Sequence, residues 1–195
     1  ALQRAASLRF LPAVGPLHAL MLKAKLSAEH GFRPSENDVR PTDYFTVRFH
    51  PNEKGKLQAQ IRPLSDGLYP DRPNGLFLHK KAAKRALDAW AREQQFCPAE
   101  LNILPPGYDR NAPCPVAAVG RCQGQCGNIG EAARQRQRIE TAARLLPVAD
   151  WGKAHQIKIC ETDTLNGRRL SFHCASGALQ MPDGSWYFDR KLPAV

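Results

Sequence analysis

Residues 114–127 read CPVAAVGRCQGQCG, and this stretch decides how the middle of the chain can fold. Three of the six cysteines crowd between positions 114 and 126, with Gly120, Gly124 and Gly127 around them. From Pro98 to Gly127 the chain is rich in proline, glycine, asparagine and cysteine, too irregular over that length to be held by secondary structure alone. Thiolates meeting at one inorganic centre supply the missing stability, because soft sulfur ligands need a backbone that turns sharply around them. The predicted ligands are Cys97, Cys114, Cys122 and Cys126. Four thiolates can hold Zn²⁺ or an iron–sulfur cluster, and spacing alone does not choose between them. The C-x₃-C step and the uneven spread of ligands favour the larger cluster over a single tetrahedral ion. Free cysteines in a small core are the plainer reading. Cys160 and Cys174 fall in predicted strands, where cysteine behaves as a small apolar residue, and are not counted as ligands.

Working outward, the segment is flanked by two basic helices. Residues 79–96 place Ala82, Ala83, Ala86, Leu87 and Trp90 on one face and turn Lys80, Lys81, Lys84, Arg85 and Arg92 mostly outward. Residues 131–146 form the second, carrying Arg134, Arg136, Arg138 and Arg144, with Glu131 at its amino end. Before the first helix, residues 44–49 and 57–62 alternate as a β-hairpin around a turn at 51–55. Residues 64–78 read as an irregular connection. Residues 8–11 suggest a short strand, and 17–30 an amphipathic helix stopped by Gly31, with Pro34 and Pro41 in a following loop. Residues 155–161 and 168–174 make a second hairpin through Asn166-Gly167, followed by a strand at 186–188. The expected class is α+β, small β-hairpins packed with amphipathic helices around a loop-rich four-cysteine metal segment. The expected division is 1–40, 41–150 and 151–195.

Charge sets the partner class. The chain has 195 residues, 28 Lys plus Arg against 18 Asp plus Glu, and a formal net charge of +10. A polyanion is the natural partner, and DNA is the expected one, although a basic surface can also be merely solvated. Arg121, Lys80, Lys81, Lys84, Arg85, Arg134 and Arg138 are the candidate phosphate contacts. With 43% hydrophobic residues the chain can bury a core. No apolar run approaches the roughly 20 residues that span a bilayer, and the first residues lack a signal-peptide pattern. A cytoplasmic protein without membrane contact is expected. The chain begins with Ala1, which suggests a piece of a longer protein. The six histidines fall on scattered elements with no nucleophile at telling spacing, which argues against a hydrolase built on them. Aromatic residues, at 8%, are too few to indicate a stacking platform for single strands.

The pattern Cys97…Cys114-x₇-Cys122-x₃-Cys126, with its Gly120-Arg121-Cys122-x-Gly124-x-Cys126-Gly127 core, resembles the cysteine segment of the UvrC/Cho excinuclease family. The resemblance implies a [4Fe-4S] cluster on those four cysteines and duplex DNA, damaged or distorted, as partner. It extends to residues 19–26, which look like the last helix of the family's GIY-YIG nuclease domain, to Pro34-x-x-Asn37, and to the basic helix ending at Cys97. Trp186-Tyr187-Phe188-Asp189-Arg190 looks like the Phe-Asp element of the Cho-like form.

Two departures bear on activity. Where the family has a metal-binding glutamate this chain has Lys23, and an ammonium repels Mg²⁺ and offers it no oxygen. The front half of the nuclease domain has no counterpart, so no catalytic residue is assigned. Some relatives carry a 3′-to-5′ exonuclease ahead of the Cho-like part, which implies an upstream exonuclease or nuclease domain in the full-length protein. The resemblance thus implies a DNA-binding repair module with an incomplete nuclease centre. Its alternatives are an active structure-specific endonuclease completed by an upstream segment, and a zinc-stabilised protein-interaction scaffold.

Overall fold

Two antiparallel sheets, each backed by helix, organise the chain in a computed structural model that describes residues 6–31, 44–104, 115–120, 132–149, 151–152 and 154–194. The α+β class read from the pattern is the observed one. The elements run α1 (Pro16–Glu29), β1 (Phe45–Pro51), β2 (Leu57–Pro63), β3 (Gly67–Tyr69), β4 (Asn74–Phe77), α2 (Lys80–Glu93), α3 (Pro115–Ala118), α4 (Ala132–Ala142), β5 (Gln156–Thr162), β6 (Arg169–Ala175), β7 (Ala178–Gln180) and β8 (Trp186–Phe188).

The first sheet has the order β2-β1-β4. Alternation fixes its faces: Val47, Leu57 and Ala59 point into one core with Ala83, Leu87 and Trp90 of α2 and Ile139 and Ala142 of α4. The β1–β2 hairpin pairs Phe45 with Pro63 through Pro51 with Leu57, as its alternation predicts. Gly55, at φ +72°, takes the turn.

The second sheet has the order β3-β8-β7-β6-β5. Helix α1 lies on it, with Leu17 and Ala24 sharing a core with Phe172, Leu179 and Tyr187. The amino end of α1 is capped from β5: the Glu161 carboxylate accepts hydrogen bonds from the Leu17 N–H at 2.7 Å and the His18 N–H at 3.0 Å. A carboxylate at that end satisfies two donors the helix cannot and meets its positive dipole. Gly15 makes room for it, since a Cβ there would come within 2.5 Å of the Glu161 carboxyl carbon. A third cluster, Leu64, Leu76, Val148, Trp186 and Phe188, joins the two sheets.

Three expectations change. Residues 8–11 form no strand, and Leu8 and Phe10 are exposed; three apolar residues cut short by Pro12 have no sheet edge to pair with. Residues 64–78 are not irregular throughout but supply β3 and β4. One of their glycines sits where the pairing needs it. Gly75, at φ +70°, lies beside the register shift between β1 and β4, and a Cβ there would meet the Phe77 ring at 2.8 Å and the Pro147 carbonyl at 3.0 Å. The partners of both strands are distant in sequence, so local composition hid them. Finally, the basic helix stops at Glu93, short of Phe96. Gln95 takes a left-handed conformation at φ +56°, closing the helix through Phe96 N–H to the Ala91 carbonyl at 2.8 Å. No glycine marks that stop. β7, not foreseen either, is three residues long.

Candidate nucleic-acid interface

Cys97 is half-buried just beyond the end of α2. The chain reaches it through Phe96, whose ring stacks on Trp90 at 4.8 Å, and leaves it through a tight turn closed by the Leu101 N–H on the Cys97 carbonyl at 3.0 Å. Leu101 is fully buried, and its carbonyl accepts from the Ala59 N–H of β2 at 2.9 Å. Glu100 forms an ion pair with Lys56 at the start of β2, with side-chain exposures of 16% and 5%. The departing end of the cysteine segment is therefore fastened to β2 by backbone and by charge.

The returning end is fastened to the same strand. Gln135, in α4, accepts from the Leu57 N–H at 2.9 Å and donates through Nε2 to the Leu57 carbonyl at 3.1 Å, a side chain standing in for a neighbouring strand. Leu57 and Ala59 are two residues apart, about 7 Å along a strand. The segment between Leu101 and Gln135 thus leaves from and returns to one short piece of sheet edge, which these contacts also cover. Arg138 adds a further tie: Nη2 donates to the Gln94 carbonyl at 3.0 Å, and the guanidinium lies 4.9 Å over the Phe96 ring. Trp90 completes it, donating through Nε1 to the Ala142 carbonyl at 2.9 Å.

These two ties, 94 to 138 and 90 to 142, set α2 and α4 antiparallel. Lys80, Lys81, Lys84 and Arg85 are exposed at the beginning of α2, and Arg134 is exposed near the beginning of α4. At 1.5 Å per residue the two clusters stand roughly 20 Å apart along the helix pair. Among the described residues the predicted contacts therefore form two patches, at opposite ends of the pair. At the beginning of α2, no acidic residue sits in the first turn and no side chain caps it, so two lysines occupy the positive end of the helix dipole.

Of the predicted ligands, only Cys97 can be placed. Cys114, Cys122 and Cys126, with Arg121, lie outside the described residues, as do Pro34 and Asn37. Four-residue α3 begins directly after Cys114 and ends at Ala118, two residues before Gly120 at φ +68°. Cys160 and Cys174 lie on neighbouring strands of the other sheet, three positions apart in register and so on opposite faces. Cys160 is exposed and 3.2 Å from the Ser171 hydroxyl, while burial pushes the Cys174 thiol up to about 11. Among the described residues no three His, Cys, Asp or Glu side chains gather as a metal ion requires.

Lys23 is exposed on α1. The Trp186–Arg190 element is built into the second sheet: Phe188 is fully buried, and Asp189 accepts from the Tyr187 hydroxyl at 3.2 Å and the Lys191 N–H at 2.9 Å. Burial and then the Asp189 charge push the Tyr187 phenol above its usual range. Asp66 holds Arg190 through its N–H and Nε, at 2.9 and 3.2 Å. No helix among the described residues is long and apolar enough to cross a membrane. Sequence reasoning missed Lys56, Glu100 and Gln135, which carry no motif and matter only because distant segments meet there.

The sequence model of the family described as UvrC/Cho excinuclease, middle domain, matches residues 44–145. That span begins at the hairpin that opens the first sheet and closes at the end of the turn after α4, so it takes in both helices and the whole cysteine segment. No curated protein and no solved structure matches the chain.

Proposed function

The chain belongs to the UvrC/Cho excinuclease family, and from that premise we propose that residues 44–145 are a DNA-contacting module of a repair excinuclease, steadied by an iron–sulfur segment. The observation that carries this reading is the fastening of both ends of the cysteine segment to Leu57 and Ala59, beneath two basic helices. A closed excursion of that kind can hold a fixed shape once its interior is tied. Cys97, Cys114, Cys122 and Cys126 would hold a [4Fe-4S] cluster. Bound there, the cluster supplies iron–thiolate links that substitute for the core the segment lacks. The chain's own part is to position the first thiol and to present Lys80, Lys81, Lys84, Arg85, Arg121, Arg134 and Arg138 to phosphates. Those contacts position a duplex without reading its sequence. Incision is not assigned to this chain, because Lys23, exposed on α1, stands where the resemblance to the family's nuclease domain would put a metal-binding glutamate.

The test is fluorescence anisotropy of a labelled duplex across a salt series. The wild-type chain should bind, and log K should fall linearly with log salt. The combined Lys80→Gln, Lys81→Gln, Lys84→Gln and Arg85→Gln variant should bind roughly tenfold or more weakly, with a slope shallower by about 0.9 for each charge that met a phosphate. Tight binding that ignores salt, or wild-type affinity in the folded variant, would remove the basis of the proposal.

A further inference from the structure

We infer that the face of the β1–β2 hairpin turned away from α2, together with the cleft at its edge formed by Arg48, Tyr69 and Arg72, binds backbone phosphates of duplex DNA. The inference rests on the DNA-contacting reading above but concerns a surface none of the predicted residues occupies.

The face follows from the register. Arg48 and His50 alternate with the core residues of β1, are exposed and stand opposite Gln60 and Gln58 of β2, while Thr46, opposite Arg62, is buried against Asn74. Neither strand contains an acidic residue. Arg48 and Arg62 are diagonal neighbours, about 7–8 Å apart, so two guanidiniums can track one phosphodiester strand. At the edge of this face lies a cleft of about 120 Å³, room for one phosphate group, lined by Thr46, Arg48, Tyr69, Asp71, Arg72 and Asn74 among others.

Within it Arg48 and Arg72 are set in place without an ion-pair partner among the described residues. The Tyr69 hydroxyl is tied to its own loop, donating to the Ser65 carbonyl at 2.6 Å and accepting from the Ser65 N–H at 3.0 Å. Its ring is thereby fixed, and the Arg48 guanidinium rests 5.3 Å from its centroid. Arg72 is half-buried, and burial, with the Arg144 guanidinium nearby, lowers its affinity for its proton from the usual arginine value. Arginine does not lose that proton in a protein, so the charges remain and repel. Among the described residues the ion pairs are Lys25 with Glu29, Lys56 with Glu100 and Arg190 with Asp66. None serves Arg48, Arg72 or Arg144, and Asp71, though it lines the cleft, is not within ion-pair reach of them. A phosphate oxygen pair matches the fork of a guanidinium, and a bound anion would relieve the crowding of Arg72 and Arg144.

The experiment uses the full chain, the same labelled duplex and a combined Arg48→Gln, Arg72→Gln variant shown by circular dichroism to be folded. The expected result is weaker binding by roughly tenfold and a log–log salt slope shallower by about 1.8, the share of two phosphates. The combined Arg48→Lys, Arg72→Lys variant should keep the wild-type slope, since the charge remains, while losing affinity with the fork. Wild-type binding with unchanged affinity and slope in the folded glutamine variant overturns this inference and leaves the reading of α2 and α4 standing. If the wild-type chain fails to bind the duplex, that reading fails. Titration with inorganic phosphate, followed at the arginine Nε–H resonances, then decides the source. Shifts at Arg48 and Arg72 would assign the cleft to free phosphate and overturn the DNA source; their absence would overturn the site altogether.

Discussion

Trp90→Ala should lower the free energy of unfolding by about 3–5 kcal/mol, the range for emptying a large aromatic site in a packed core. Trp90 is 3% exposed and is the meeting point of three elements. Its ring lies 5.6 Å from Phe49 of β1 and 4.8 Å from Phe96, and its Nε1–H reaches the Ala142 carbonyl where α4 gives way to a 3-10 turn. Truncation removes both ring contacts and leaves that carbonyl without its donor. Trp90→Phe separates the two losses, keeping most of the packing and giving up the hydrogen bond, for a cost of about 1–2 kcal/mol. Urea unfolding followed by far-ultraviolet circular dichroism measures both. A cost under about 1 kcal/mol for the alanine variant would mean that α2 and α4 are not joined through this residue.

Glu100→Ala should cost about 1.5–3 kcal/mol, for a different reason. The Lys56 side chain is 5% exposed, so removing the carboxylate takes a charged acceptor from a buried ammonium. Lys56 cannot easily swing out. Its N–H is held by the Asn52 side chain at 3.0 Å and its carbonyl by the Asn52 N–H at 2.8 Å. Replacing both partners, Lys56→Met with Glu100→Leu, should recover most of the loss, because a buried pair returns little more than its own desolvation cost. The same urea titration distinguishes the cases. A single variant as stable as wild type would show that the pair is solvated. Both variants act on the departing end of the cysteine segment, so each should also weaken duplex binding where the segment's shape matters to it.

What the sequence disclosed and what it withheld divide along the range of the interactions. The β1–β2 hairpin and the two basic helices were legible because alternation, amphipathic spacing and turn residues act within a few positions, as at Val47 against Leu57 and at Gly55. β3 and β4 were not, because Gly67–Tyr69 pairs with Trp186–Phe188, more than a hundred positions away, and Asn74–Phe77 pairs with β1 across the intervening hairpin, and nothing local records either partnership. The same holds for the site. Cysteine spacing and the lysines of α2 are local signals. Gln135 posing as a strand partner for Leu57, and Glu100 neutralising Lys56, exist only once the segment has closed on itself. Arg138 shows a limit of another kind: charge pattern alone offers it to phosphate, whereas the fold also employs it to hold Gln94 and cover Phe96.

The proposed inorganic centre would tie together a segment whose ends are pinned two residues apart on one strand. Iron and acid-labile sulfide, determined on the full chain purified without oxygen, test it most directly. Four thiolate ligands around a [4Fe-4S] cluster predict iron and sulfide in equal amounts, about four of each per chain. One zinc per chain with no sulfide, or no bound metal in a protein that still binds duplex DNA, would contradict it.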